Sequence, residues 1–140
     1  MFKNILVPTD LSEKSSRALE IALEMANRRS DCRVTLLHVI ERIEDSDEEE
    51  FQSFYDKLAS KARLKMKEMT RQYSAGKAEI AKEIIFGNRV GEIVDFARKH
   101  AVDLIILSSH KLNRVDAVEG WATISYKVGI LAPCPVMMVK

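Results

Sequence analysis

From Ser108 to Gly129 the chain reads SSHKLNRVDAVEGWATISYKVG, directly after the apolar run VDLIIL. A strand that gives way to a polar connection and then a helix is where an open α/β sheet commonly cradles phosphate. Amide N–H groups at the helix start and the helix dipole both favour an anion there. Such loops use glycine so that the backbone can approach the anionic oxygens. Between Ser108 and Glu119 there is no glycine. Lys111 and Arg114 offer another way to meet phosphate, through side-chain charge.

Ser108, Ser109, His110, His38 and Asp10 supply the residue types of a Ser-His-Asp hydrolase. The G-x-S-x-G elbow is missing, and no oxyanion hole is visible. The same histidines with Asp10 could hold a metal, but packing or backbone hydrogen bonds account for them more simply. No catalytic or metal-ligating residue is therefore assigned. The G-x-x-x-x-G-K-[ST] and G-x-G-x-x-G fingerprints are absent too.

The elements that would position these groups alternate along the chain. FKNILVPT (2–9) reads as a buried strand. A helical stretch follows, with Leu11, Ala18, Leu19, Ala22, Met25 and Ala26 near one face and Asp10 or Ser12 as its cap. RVTLLHVI (33–40) is a second strand, apolar on both faces. Residues 41–50 form an acidic cluster, read as a solvated turn and helix start. A long helix runs from Phe51, with Phe51, Phe54, Tyr55, Leu58, Ala62, Met66, Met69 and Tyr73 as its stripe. Its Lys57, Lys61, Lys65 and Arg71 face is read as solvated. Gly76 is the expected C′ residue.

Residues 78–87 alternate like an edge strand. The next helix buries Val90, Ile93, Val94, Ala97 and Ala101. VDLIILSS is the fourth strand, and Gly120–Leu131 the fourth helix, with Trp121, Ile124, Val128 and Leu131 inward. For Trp121 two readings stand open: packing on the sheet, or covering the crevice. APCPVMMVK closes the chain as a fifth strand. The β-α alternation, with strands buried on both faces, means a doubly wound parallel sheet in one domain, residues 1–140.

Net charge is +1, with 46% hydrophobic and 31% charged residues. That balance gives no reason to expect nucleic acid or an acidic membrane as partner. No apolar run approaches the ~18 residues of a membrane span. The N-terminus lacks a secretory apolar region, so the cytoplasm is the expected location.

The blocks ILVPTDLSEKSSRALEIALEMA, VTLLHVI, GNRVGEIVDFARKHAVDLIILSSH and ATISYKVGILAPCPVMMVK together resemble the universal stress protein domain over essentially the whole chain. The resemblance implies a five-stranded sheet of order 3-2-1-4-5, like the adenine nucleotide alpha hydrolases. It implies a homodimer through the last strand, Pro135–Lys140. It also implies a stress-response protein, with ATP bound in some members and not in others. Such a sheet has its switch point between strands one and four, where ligands sit at the carboxyl ends. The implied nucleotide site is Pro8, Thr9, Asp10, Val39, Leu107, Ser108, Lys111, Thr123, Ile124 and Ser125. Asp10 meets the ribose and adenine end, and the Val39 backbone meets adenine.

The family's phosphate loop has the pattern G-x-x-G-x9-G-[ST]. Here its glycines fall on Ser108, Lys111 and Ala122, and the connection is one residue longer. Thr123 and Ser125 keep hydroxyls. The expectation is a non-enzymatic protein with a degenerate nucleotide loop and no required cofactor, acting on a protein partner or by sensing some other small molecule. The alternative is an ATP- and Mg²⁺-binding member that uses Lys111 and Arg114 and hydrolyses at most slowly. Cys32 and Cys134 each precede their strands, three strand spacings or about 14 Å apart. A disulfide needs about 7 Å, so reduced thiols are expected.

Overall fold

The computed structural model describes residues 1–42, 48–109 and 121–140, with backbone alone at 48–50 and 121–123. Five strands, β1 (Asn4–Pro8), β2 (Arg33–Ile40), β3 (Glu79–Phe86), β4 (Leu104–Ser108) and β5 (Val136–Val139), form one sheet. Their order is β3-β2-β1-β4-β5, and all four pairings are parallel. Four helices cross between them: α1 (Ser16–Asn27), α2 (Glu48–Arg71), α3 (Arg89–Lys99) and α4 (Trp121–Leu131). No helix among the described residues is long and apolar enough to cross a membrane.

The strands without alternation are the central ones, as two-sided burial requires. In β1, Ile5 and Val7 pack with α1, while Leu6 packs on the other face with Ile93 and Ala97 of α3. Both faces of the inner sheet are therefore dry. The edge strands β3 and β5 are partly exposed along their length.

Several boundaries differ from the periodicity reading, each for a local reason. Neither Asp10 nor Ser12 caps the first helix with its side chain; a 3-10 turn at Glu13–Ser15 precedes α1. Gly76 is not a left-handed C′ residue, because α2 ends at Arg71 and turns follow. Phe51 and Phe54 are 37% and 53% exposed. They lie where α2 has yet to settle fully onto the sheet, and Tyr55, Ala59, Ala62 and Met66 carry the contact. On α4, Leu131 is 55% exposed, and Ser125 takes a buried place beside Val128. The helix is apolar nearly all round, so its sequence does not single out one face.

α3 ends at Lys99, two residues before the expected Ala101, and Ala101 is exposed with φ 51°. Val102 N donates to the Ala97 carbonyl at 3.0 Å, which makes this a Schellman closure with alanine where glycine is usual. Left-handed backbone is unfavourable for any residue with a Cβ. We expect Ala101→Gly to stabilise the protein by about 0.5–1 kcal/mol, net of the added freedom of the unfolded chain. Denaturant unfolding would show it as a raised midpoint at constant m; a lowered midpoint would refute it.

The amino edge is tied by Asp103, which accepts from Lys3 N at 2.8 Å and Asn4 N at 3.0 Å. Asn4 Nδ2 in turn donates to the His100 carbonyl at 2.6 Å. These bonds lie at the end of the sheet away from the carboxyl crevice.

Candidate functional site

The switch point lies where the sheet order turns from β1 to β4, and a crevice opens there at the carboxyl ends of the strands. Counting its open mouth, it encloses about 580 Å³, within the size range of small-molecule sites. Its floor is apolar: Leu37, Val39, Ile93, Leu107 and Ile124. Its polar lining includes Asp10, Ser12, Ser108 and the buried Ser125 beside two cations, Lys14 and Arg89.

The β1–α1 loop builds one wall. Thr9 N extends the ladder by donating to the Leu37 carbonyl at 2.9 Å. Thr9 Oγ1 accepts from Leu11 N at 2.9 Å and meets Ser15 Oγ at 2.6 Å, and Ser15 Oγ donates to the Ser12 carbonyl at 2.7 Å. Because Ser15 donates onward, the Thr9 hydroxyl is the donor in their contact. Asp10 Oδ1 accepts from both Ser12 N at 2.9 Å and Ser12 Oγ at 2.6 Å. Leu11, between these two turns, stands at φ 67°. Bonds on both sides hold this unfavourable backbone in place. Ser108 Oγ then donates to the Lys14 carbonyl at 3.1 Å, joining the end of β4 to the same loop across the switch point.

His38 braces the loop from β2. Its Nδ1 lies 2.9 Å from the Thr9 carbonyl. A carbonyl only accepts, so Nδ1 carries the proton, and the neutral ring leaves its lone pair on Nε2. Burial pushes the imidazole below its ordinary range, and the Arg89 charge adds to this. The Thr9 bond and Asp10 pull the other way without reversing it. Since the folded state resists protonation, the unfolded chain binds more protons below pH ~6.5. Stability is thus level above that pH and falls below it, until the folded ring also protonates. We expect this slope, at most about 1.4 kcal/mol per pH unit, to be absent in His38→Gln. Urea unfolding at pH 7.0 and 5.5 tests it; equal slopes for both proteins would exclude His38 as the cause.

The third wall is the start of α3. Gly87 has φ 151°, and a Cβ there would lie 2.6 Å from Glu92 Oε1. Asn88 caps the helix, its Oδ1 accepting from Gly91 N at 3.0 Å. The tight turn and cap together set Arg89 at the crevice.

Of the residues named from the sequence, Pro8, Thr9, Asp10, Val39, Leu107, Ser108, Ile124 and Ser125 line this one crevice. Lys111, Arg114 and His110 lie outside the described residues, as do the side chains of Trp121 and Thr123. Sequence reasoning did not assign Ser12, Lys14, Ser15, Leu37, Arg89 or Ile93 to the site. Leu37 shares a strand face with Val39, two residues on, and that period could have revealed it. Arg89 opens the helix after β3, whose carboxyl end faces the same side. No group of His, Cys, Asp and Glu able to hold a metal occurs among the described residues. Cys32 and Cys134 are free thiols, both pushed up first by burial and then by the Asp103 charge.

Comparison with known proteins agrees with this architecture. The universal stress protein family model matches residues 1–140. The chain is 29% identical to universal stress protein MJ0577 of Methanocaldococcus jannaschii, covering 100% of this chain and 96% of that protein. It is 26% identical to universal stress protein YxiE of Bacillus subtilis, with full coverage of both. Among solved structures, universal stress protein UspA from Lactobacillus plantarum superimposes with TM-score 0.84 at 25% identity, covering 99% and 98% of the chains. A universal stress protein in complex with cAMP shares the fold at TM-score 0.71 and 18% identity, covering 99% and 96%. An Arabidopsis thaliana family protein with AMP bound does so at 0.70 and 21%, covering 99% and 91%.

Proposed function

This chain belongs to the universal stress protein family, and on that premise we propose that it is a non-enzymatic, cytoplasmic stress-response protein. It acts as a homodimer, and its crevice takes an adenine nucleoside monophosphate rather than ATP. One contrast carries the reading. The nucleoside half of the crevice is assembled from Pro8–Asp10, Val39, Leu107 and Ile124, whereas all three glycines of the triphosphate cradle are replaced in the sequence. A planar base suits the apolar floor, and the Asp10 carboxylate accepts from sugar hydroxyls. Without the glycines, a β- or γ-phosphate gains no backbone nest. The related folds solved with cAMP and AMP hold short phosphates; at their identities they support the fold, while the ligand class rests on the crevice and the loop sequence.

Thermal unfolding of nucleotide-free protein with adenosine, AMP or ATP and Mg²⁺ tests the ligand class. AMP is expected to raise the midpoint, and ATP to raise it no further. A larger shift with ATP, or phosphate release from it, would favour a triphosphate site built on Lys111 and Arg114.

Support for the homodimer comes from β5. It pairs with β4 on one side only, and its Met137 and Met138 are 38% and 49% exposed. Tyr126 and Ile130 on α4 are also exposed. An apolar edge invites pairing with a second copy. Light scattering at tens of micromolar is expected to give twice the 15.9 kDa chain mass, and Met138→Lys to give the monomer. A monomeric wild type would remove the edge-pairing proposal.

A further inference from the structure

A whole-chain charge of +1 conceals a segregated one. Between Asp56 and Arg71, α2 carries six cations and only two acids. The cations fall in two rows at i, i+4 spacing: Lys57, Lys61 and Lys65, and Arg63, Lys67 and Arg71. All six are exposed. Like charges so spaced destabilise a helix. The other helices avoid this. Arg17 and Arg28 on α1 and Arg98 on α3 pair with acids three or four residues away, at 3.4, 3.0 and 3.6 Å. Among the described residues, none of the six α2 cations has an ion-pair partner. Tyr55, Ala59, Ala62 and Met66 turn the opposite side of the helix into the protein, so both rows face outward. Leu64 lies between them, 69% exposed, and the half-exposed Phe54 stands one turn before Lys57.

A polyanion complements this charge, and three features favour a lipid surface. Lysine supplies four of the six cations. Its point charge suits a diffuse anionic layer, where the arginine fork suits fixed phosphates or carboxylates. Basic side chains on either side of a protruding leucine can meet lipid phosphates while the leucine enters the headgroup layer. A single convex helix also touches a plane along its length, and Lys57 to Arg71 spans about 21 Å. The acidic start of α2 does not cancel this field. Glu49 lies about 18 Å along the axis from Lys61, beyond the Debye length of about 8 Å. We propose that the outer face of α2 is a peripheral docking surface for a membrane rich in anionic phospholipid. The two cation rows hold it, with Leu64 and Phe54 seated among the headgroups. None of these residues lines the crevice, so the outcome does not depend on the nucleotide reading.

Co-sedimentation of the full chain with vesicles tests this, using phosphatidylcholine alone or mixed equally with phosphatidylglycerol. Binding is expected with the anionic vesicles only, and is expected to vanish at about 1 M salt, where screening reaches about 3 Å. Each cation near such a surface contributes about fivefold in partitioning. Combining Lys57→Gln, Lys61→Gln and Lys65→Gln is therefore expected to lower binding about a hundredfold. The same variant should melt at or above the wild type, because it removes like-charge contacts; its lost binding is then not unfolding. Leu64→Ser is expected to weaken binding while leaving the salt dependence unchanged. Equal sedimentation with neutral and anionic vesicles, or none with either, overturns the proposal, as does a triple variant that binds like the wild type. Retention on duplex DNA or polyglutamate without vesicle binding would assign the face to another polyanion and overturn it as well.

Discussion

Restoring the glycine cradle will raise the affinity of this chain for ATP about a hundredfold. The variant combines Ser108→Gly, Lys111→Gly and Ala122→Gly with deletion of one residue between 112 and 121, so that the sequence fits G-x-x-G-x9-G-T. Each backbone amide that reaches a phosphate oxygen gains a charge-assisted bond worth about 1.5–3 kcal/mol. Two regained bonds, about 3 kcal/mol at the lower end, correspond to roughly a hundredfold in Kd. The gain depends on the nucleoside half proposed for this crevice. Thr9, Asp10 and Ser12 are held by their own hydrogen bonds, and Val39 and Leu107 by the core. Neither set depends on the loop's glycines. Titration with ATP and Mg²⁺ would read the change, with adenosine competition confirming the site. A grafted protein that melts like the wild type yet gains no ATP affinity would show that the assembled crevice is not a nucleoside site.

The second large effect falls at the opposite end of the sheet. Asp103→Ala is expected to destabilise the fold by about 2 kcal/mol, because it removes a carboxylate that two backbone N–H groups share. Both bonds lie toward the surface, so the estimate stays near the lower end for bonds to charge. For a chain of this length that is a midpoint drop of about 6–8 °C. Asp103→Asn keeps one acceptor oxygen and should lose about half as much. Both thiols, freed of the nearby negative charge, should ionise more readily and react faster with a disulfide reagent. Ligand binding at the crevice should not change. A melting point within 1 °C of the wild type would deny Asp103 this role.

The fold was legible because its central strands say so in residues: Ile5-Leu6-Val7 and the run of β2 leave no polar face, and only a two-sided sheet hides both. Half of the site was legible for the same reason, since Pro8-Thr9-Asp10 and Leu107-Ser108 end adjacent central strands. The rest depended on rotations that a sequence does not encode locally. In WATISYKVGIL apolar residues surround the helix, so the inward turn of Ser125 and the outward turn of Leu131 follow from how α4 seats against α3 and β5. Lys14 came to the crevice through the 3-10 turn at Glu13–Ser15, and Arg89 through the side-chain cap of Asn88. Ala101 adopts left-handed backbone at a position where nothing but glycine would have announced it.

The central claim is that this crevice keeps a nucleoside pocket and lacks a triphosphate cradle. Calorimetric titration of nucleotide-free wild-type protein with AMP, and separately with ATP and Mg²⁺, addresses it most directly. The prediction is saturable binding of AMP, with ATP no more than threefold tighter and indifferent to Mg²⁺. Binding of ATP tenfold or more tighter than AMP, strengthened by Mg²⁺ and lost in Lys111→Ala, would contradict it.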